Sequence, residues 1–153
     1  MDDRALYGAV VLVARHYVGR AAALVDGFAD EAVLRERLAV DGFDAGEQLD
    51  VALGFALRVV WPLTGRAVPE ASDAAATRDA LLARAAEVAA LLETVAPEDF
   101  AGAASRTLRH RAGEVELEQG AVAFATLYGL PNMLFHLATA HAILRGAGCA
   151  VGK

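Results

Sequence analysis

The stretch at residues 129–144 reads GLPNMLFHLATAHAIL and is followed by Arg145 and Gly146. Residues 132–144 contain no helix breaker, and Pro131 has the fixed φ angle that suits a first helical position. A basic residue followed by glycine is typical of a helix C-terminus. The stretch therefore predicts the last helix of the chain, beginning at Pro131.

A strip of polar residues follows one side of this helix. At about 100° per residue, Asn132, His136 and Thr139 lie together beside the apolar residues Met133 and Leu137. A helix that turns such side chains inward either completes a hydrogen-bond network in the core or lines a binding site, and the sequence leaves both open. We expect His136 to be buried and hydrogen-bonded, with Gln48 as the best candidate partner, and His141 to be more exposed.

Apolar residues recur at helical spacing in three earlier segments, at residues 3–28, 47–60 and 74–95. The connection at residues 29–46 includes a short helical turn at residues 31–38. Residues 119–128 form a further helical segment that leads into the last helix. Together these segments predict an all-α fold, an up-down antiparallel four-helix bundle in a single domain.

A period of two replaces the helical period at residues 105–118 and predicts a β-hairpin between the third and fourth helices. Centred on Ala112-Gly113, the hairpin would pair Arg111 with Glu114 and His110 with Val115. One face would then carry Arg–Glu pairs and the other would be apolar.

Several residues of the last helix form a longer signature with the tail. They are Leu130-Pro131-Asn132, Phe135-His136, Thr139-Ala140, Ala142-Ile143-Leu144-Arg145, Gly148 and Gly152-Lys153. This signature resembles that of a bacterial family, number nineteen-ninety-three in the domain-of-unknown-function series, which is similar to the DinB/YfiT-like four-helix bundles. The resemblance implies a DinB-like fold for residues 1–153 but no activity. The chain departs from the family pattern at Gly54, where a carboxylate is usual, and at Leu57, where a lysine is usual.

Composition limits the classes of partner. The chain has 20 acidic and 14 basic residues and a net charge of −6, so its field opposes binding to nucleic acid. We identify no membrane span or signal peptide in the sequence. The lone Cys149 cannot form an internal disulfide. These features predict a cytoplasmic protein.

A metal site of the DinB-like type would need two histidines four residues apart on the last helix, because only that spacing projects both side chains toward one ion. Here His136 and His141 are five residues apart and point to different sides. Asn132 and Ala140 occupy the positions four residues from His136. We therefore expect no metal and no cofactor.

Two hypotheses for the function of this protein remain after these exclusions. The first is a non-catalytic bundle that binds a small ligand or takes part in assembly, with Gln48, Asn132, His136 and Thr139 as the candidate site. The second is a thiol-dependent transferase of the kind that the superfamily resemblance implies, with His136 as acid or base. The first is favoured.

The first helix also carries a second apolar face, formed by Gly8, Leu12, Gly19 and Ala23. A solvated helix face is usually charged, so this face either packs against another helix or is simply an alanine-rich surface. We expect a homodimer.

Overall fold

The structure is a computed structural model that describes residues 1–70 and 77–152 of the chain. It confirms the mainly helical fold with one hairpin between the third and fourth helices. The elements are α1 (Asp3–Asp26), α2 (Ala45–Thr64), α3 (Arg78–Glu93), β1 (Thr107–Ala112), β2 (Val115–Gly120) and α4 (Ala121–Gly146), with short 3-10 helices at Glu31–Arg35, Pro97–Phe100 and Ala103–Ser105.

Helices α1 and α3 pack against each other in opposite directions. Arg78, at the start of α3, donates to the carbonyl of Phe28 just beyond the end of α1 (3.1 Å). At the other end of the pair, the Tyr7 hydroxyl donates to the Val95 carbonyl (3.3 Å). Hydrogen bonds at both ends therefore hold this helix pair together.

Helices α2 and α4 form the second antiparallel pair. Gly129, early in α4, lies against Val59 in the second half of α2. Later in α4, His136 contacts Gln48 in the first turn of α2. Helices α2 and α3 run in the same direction, since Arg66 and Asp99, which follow their two ends, form an ion pair at 3.5 Å. The helix directions are thus up, down, down, up, so the predicted antiparallel pairing applies to α1–α3 and α2–α4.

Helix α2 begins two residues earlier than predicted. The Asp44 carboxylate accepts from the Glu47 N–H (2.9 Å), and the Glu47 carboxylate accepts from the Asp44 N–H (2.8 Å). This capping box starts the helix at Ala45 and overrides the break that Ala45-Gly46 would suggest. At its other end, the helix continues past Pro62 to Thr64 and stops at Gly65, whose φ is +74°.

Helix α3 begins at Arg78, where the Thr77 hydroxyl accepts from the Ala80 N–H (3.2 Å). The predicted start at Ala74 lies outside the described residues. At the C-terminal end, Arg15 of α1 donates to the carbonyls of Leu92 (2.8 Å) and Val95 (3.2 Å). A guanidinium at this end adds further donors to these carbonyls and complements the negative end of the helix dipole.

The start predicted for the last helix is wrong, because α4 is continuous from Ala121 to Gly146 and Pro131 lies inside it. A wide π-helical turn at Phe124–Gly129 precedes the proline. Proline lacks the N–H of an ordinary α-helical turn, and a π turn interrupts the regular hydrogen-bond ladder at that point. The irregular turn allows the two predicted helical segments to join.

Gly129 marks close packing rather than a helix boundary. A Cβ at this position would lie 2.4 Å from Cγ2 and 2.8 Å from Cβ of Val59. These distances are shorter than any ordinary carbon–carbon contact. The backbone of α4 therefore approaches α2 at a distance that only glycine permits.

The hairpin has a different register from the predicted one. Its two-residue loop is Gly113-Glu114, with Ala112 opposite Val115 and Gly113 at φ +59°. A type II′ loop needs the positive φ at its first position, which Gly113 meets only if the loop begins there. The predicted loop at Ala112-Gly113 would have put alanine in that position.

The register differs by two residues, so the assignment of side chains to faces is retained. His110 lies opposite Leu117, and both are half-buried on the inner face. On the outer face Arg109 pairs with Glu118 at 3.0 Å. The predicted separation into an apolar face and a charged face is confirmed.

Helices Asp3–Asp26 and Ala121–Gly146 are long and apolar enough to cross a membrane, with a mean hydropathy of 1.3 in each. The same length and composition occur in core helices of bundles. Here both helices contribute buried residues to one shared core, including Val10, Val18, Met133 and Leu144. Hydropathy alone therefore does not distinguish these helices from membrane spans.

We expect Gly129→Ala to lower the free energy of unfolding by about 1–3 kcal/mol, because the added methyl group would force α4 away from Val59. Chemical denaturation in dilute solution measures the change. Gly146→Ala is the matched control, since Gly146 lies in the same helix and a Cβ at that position meets no atom within 4 Å. The control should be neutral or stabilising by up to about 1 kcal/mol through helix propensity. Equal effects of the two substitutions would contradict the close-packing argument.

Candidate functional site

The candidate site forms where the first turn of α2 faces the middle of α4. Gln48 is 6% exposed, and its Oε1 lies 2.6 Å from Nδ1 of His136. A buried amide needs a hydrogen-bond partner, and His136 supplies it. The predicted contact between these two residues is therefore confirmed.

The amide partner determines how the His136 imidazole is protonated. Because an amide oxygen only accepts hydrogen bonds, Nδ1 of His136 carries the proton in this pair. In the neutral ring, Nε2 then has a lone pair and acts as an acceptor. Gln48 thus fixes both the orientation and the tautomer of the imidazole.

Three phenylalanine rings surround the imidazole of His136. Phe55 of α2 stacks on it with the planes 17° apart and the centroids 5.7 Å apart. Phe43, from the loop before α2, lies at 6.2 Å, and Phe135 presents an edge at 5.2 Å. Phe43 and Phe135 are 49% and 62% exposed, so the site is an aromatic surface open to solvent on one side.

The electrostatic environment favours the neutral form of His136. Burial lowers the pKa of the imidazole below 6.5, and the positive charge of Arg58 lowers it further. The Arg58 guanidinium carbon lies 5.0 Å from the centroid of Phe55 and makes a cation–π contact with that ring. Arg58 thus places a positive charge next to the Phe55 ring, and this charge disfavours protonation of His136.

Tyr128 connects the site to the hairpin. Its ring lies 6.0 Å from that of Phe55 and 4.2 Å from that of His110, and its hydroxyl donates to the Arg111 carbonyl (3.0 Å). His110 in turn contacts Gln119 through Nε2 at 2.8 Å. The hairpin is therefore anchored against the helical turn that precedes the site.

The other two residues of the predicted polar strip use their side chains within α4 itself. Asn132 donates to the Tyr128 carbonyl (2.7 Å), and Thr139 donates to the Phe135 carbonyl (2.7 Å). Short polar side chains often bond to the carbonyl four residues earlier in this way. The structure thus joins Gln48 to His136 but does not join Asn132 or Thr139 to that pair.

The expected contrast in burial between the two histidines is absent, because His136 and His141 are both half-exposed. His136 lies at the open edge between α2 and α4, and Nε2 of His141 meets the Gly152 carbonyl of the C-terminal tail (3.1 Å). Their side chains point to different sides of α4, as the spacing predicted. Within residues 1–70 and 77–152, no three His, Cys, Asp or Glu side chains are grouped as metal ligands.

Sequence reasoning missed most of the surroundings of His136. Phe55 follows Gln48 by seven residues, or two helical turns, and that spacing could have identified it. No helical spacing in the sequence related Phe43 or Arg58 to His136. A separate groove of about 660 Å³ between α1 and α4 was also missed; its lining includes His16, Tyr17, Arg20, Leu134 and His141.

We expect NMR titration of the His136 ring to give a pKa below 6.5, and Arg58→Gln to raise that pKa toward 6.5. The unfolded chain binds the proton more readily, so the stability linked to neutral His136 is present above about pH 6.5. It is lost as the pH falls toward the lower pKa of the folded state. His136→Gln, which assigns the signal, should remove this part of the pH dependence. A His136 pKa at or above 6.5 would contradict the electrostatic account.

Comparison with known proteins agrees with this architecture. The family model for a domain of unknown function, DUF1993, matches residues 13–153. The crystal structure of a DinB family member protein from Shewanella denitrificans is similar over 99% of this chain and 90% of that chain, with a TM-score of 0.88 and 29% identity. No curated protein matches the chain. Because the family match includes α2, the hairpin and α4, the chain belongs to the DUF1993 family, and its fold is DinB-like.

Proposed function

We propose that this protein binds a small, flat ligand at the surface around His136 and acts as a cytoplasmic homodimer without catalytic activity. The observation that carries the ligand proposal is the 2.6 Å contact between Gln48 Oε1 and His136 Nδ1. That contact holds a neutral imidazole in one orientation beside exposed aromatic rings. A preorganised acceptor on an apolar surface is a typical feature of a small-molecule site.

The same contact favours binding over acid–base catalysis. A histidine that takes up a proton during a reaction is usually supported by a carboxylate, which stabilises the imidazolium. Gln48 is uncharged and supplies no such stabilisation. Burial and the charge of Arg58 also lower the pKa of His136, so protonation is disfavoured. A thiol-transferase role would require His136 to act against both effects.

The chemistry of the surroundings suggests the class of ligand. Phe43, Phe55 and Phe135 offer ring faces and edges, against which flat or aromatic groups pack favourably. Nε2 of His136 accepts a hydrogen bond, so the ligand should carry an N–H or O–H donor. A flat ring with one donor meets both requirements.

Indole carries a flat ring and one N–H group and therefore serves as the probe, with 1-methylindole as its matched analogue without the donor. We expect indole to shift the NMR signals of His136 and Phe135 and to bind more tightly than 1-methylindole. His136→Phe keeps an aromatic ring but removes the acceptor, and it should weaken indole binding by about tenfold.

Thr139→Ala is the control for that experiment, because the Thr139 hydroxyl bonds within α4. It should leave indole binding unchanged. Absence of shifts near His136, or equal binding of both probes, would contradict the ligand proposal.

The dimer proposal is supported by the outer face of α1. Leu12 is 53% exposed, and a Cβ added at Gly8 or Gly19 would meet no atom within 4 Å. Small residues around an exposed leucine allow a second helix to approach closely. The corresponding α1 of a second copy offers the same surface, as a two-fold interface requires.

We expect sedimentation velocity to give a dimer at tens of micromolar protein and Leu12→Lys to shift the equilibrium toward the monomer. The substitution places a charge in an interface that would exclude water. Val40→Lys is the control, because Val40 is 92% exposed in a loop, and this variant should sediment like the parent. A parent protein that remains monomeric would refute the proposal.

A further inference from the structure

A cavity of about 190 Å³ lies on the side of the bundle where α2 and α3 run next to each other. Val68 and Pro69, from the stretch after α2, form part of its lining. The polar part of its lining includes Asp50 and Arg58 of α2 and Arg84 of α3. This cavity is separate from the aromatic surface around His136, although Arg58 borders both.

Arg84 is the unusual residue of this cavity. It is 7% exposed, yet Nε and Nη1 of its guanidinium are buried without a hydrogen bond of normal geometry to any described residue. Its charge is balanced by longer ion pairs, with Asp50 at 3.4 Å from Nε and with Glu87 at 3.7 Å from Nη1. Buried N–H donors without acceptors are costly, so this arrangement favours an additional acceptor.

Gly54 shows where such an acceptor would lie. A Cβ built on Gly54 would be 3.7 Å from Nη2 of Arg84 and 3.9 Å from Nη2 of Arg58. The two carboxylates meet Nε and Nη1 of Arg84, so Nη2 is the nitrogen that faces Gly54. Two guanidinium groups therefore converge on a position where the chain has no side chain.

We propose that this cavity binds a small oxyanion, a carboxylate or phosphate group, between Nη2 of Arg84 and Nη2 of Arg58. Guanidinium groups bind such oxygens through short, charge-assisted hydrogen bonds. Two arginines on adjacent helices supply donors from two directions, and Gly54 leaves the space between them. The bound anion would give Nη2 of Arg84 an acceptor and reduce the repulsion between the two guanidiniums.

Binding at this cavity also predicts an effect at the neighbouring surface. The positive charge of Arg58 lowers the pKa of His136. An anion beside Arg58 would offset that charge and raise the pKa of His136. The His136 ring signal therefore reports on the anion without any need for a flat ligand.

The first experiment titrates the full chain with sodium phosphate and, separately, sodium acetate at constant ionic strength set with chloride. Isothermal titration and the His136 ring signal should both show saturable binding of at least one of the two anions. Tighter binding of phosphate identifies a phosphate ligand, and tighter binding of acetate identifies a carboxylate. Arg58→Gln should weaken the binding by at least about tenfold. Binding of neither anion, or unchanged binding in Arg58→Gln, would overturn the proposal.

The second experiment replaces the free anion with a carboxylate side chain of the protein itself. Gly54→Asp should put a carboxylate between the two guanidiniums, and Gly54→Asn is its uncharged match. Without added anion, Gly54→Asp should melt at least about 2 °C above Gly54→Asn and should no longer respond to phosphate or acetate. Equal melting temperatures of the two variants, or an intact anion response in Gly54→Asp, would overturn the proposal. Indole binding tests a different surface, so the two proposals can fail separately.

Discussion

The approach of α4 to α2 at Gly129 is the constraint on which the site depends. At 2.4 Å from the Val59 methyl group, the position of a Cβ on Gly129 is already occupied, so the two backbones are as close as packing permits. The π turn at Phe124–Gly129 ends at this contact, and Pro131 follows two residues later. The contact sets how α4 lies along α2, and it thereby brings the middle of α4 to the first turn of α2.

The character of the site follows from the residues that meet at that crossing. A neutral amide orients His136, aromatic rings surround it, and the cationic Arg58 lies one ring away. Burial and the charge of Arg58 both favour the uncharged imidazole. The capping box of Asp44 and Glu47 starts α2 three residues before Gln48. These capping hydrogen bonds therefore also position the Gln48 amide that contacts His136.

The helical content and the hairpin could be predicted from the sequence because both depend on local periodicity. A period of 3.6 defined the helices, and a period of two defined the hairpin. The predicted register of the hairpin was wrong by two residues, but the predicted assignment of side chains to its two faces was correct, because only a shift by an odd number of residues exchanges the faces. The start of the last helix could not be predicted in this way, since Gly129 and Pro131 are typical of a helix terminus in isolation. Only the neighbouring Val59 explains the glycine.

For the candidate site, the sequence by itself determined that a histidine on the last helix would need a polar partner, and it offered Gln48, a polar residue of the second predicted helix, as the best candidate. Asn132 and Thr139 share a side of α4 with His136, but their side chains bond to carbonyls of their own helix. Only the tertiary structure decided that Phe43 and Arg58 belong to the surroundings of His136. The physical reason is that helical spacing relates residues within one helix, whereas contacts with another helix or loop depend on how the elements pack.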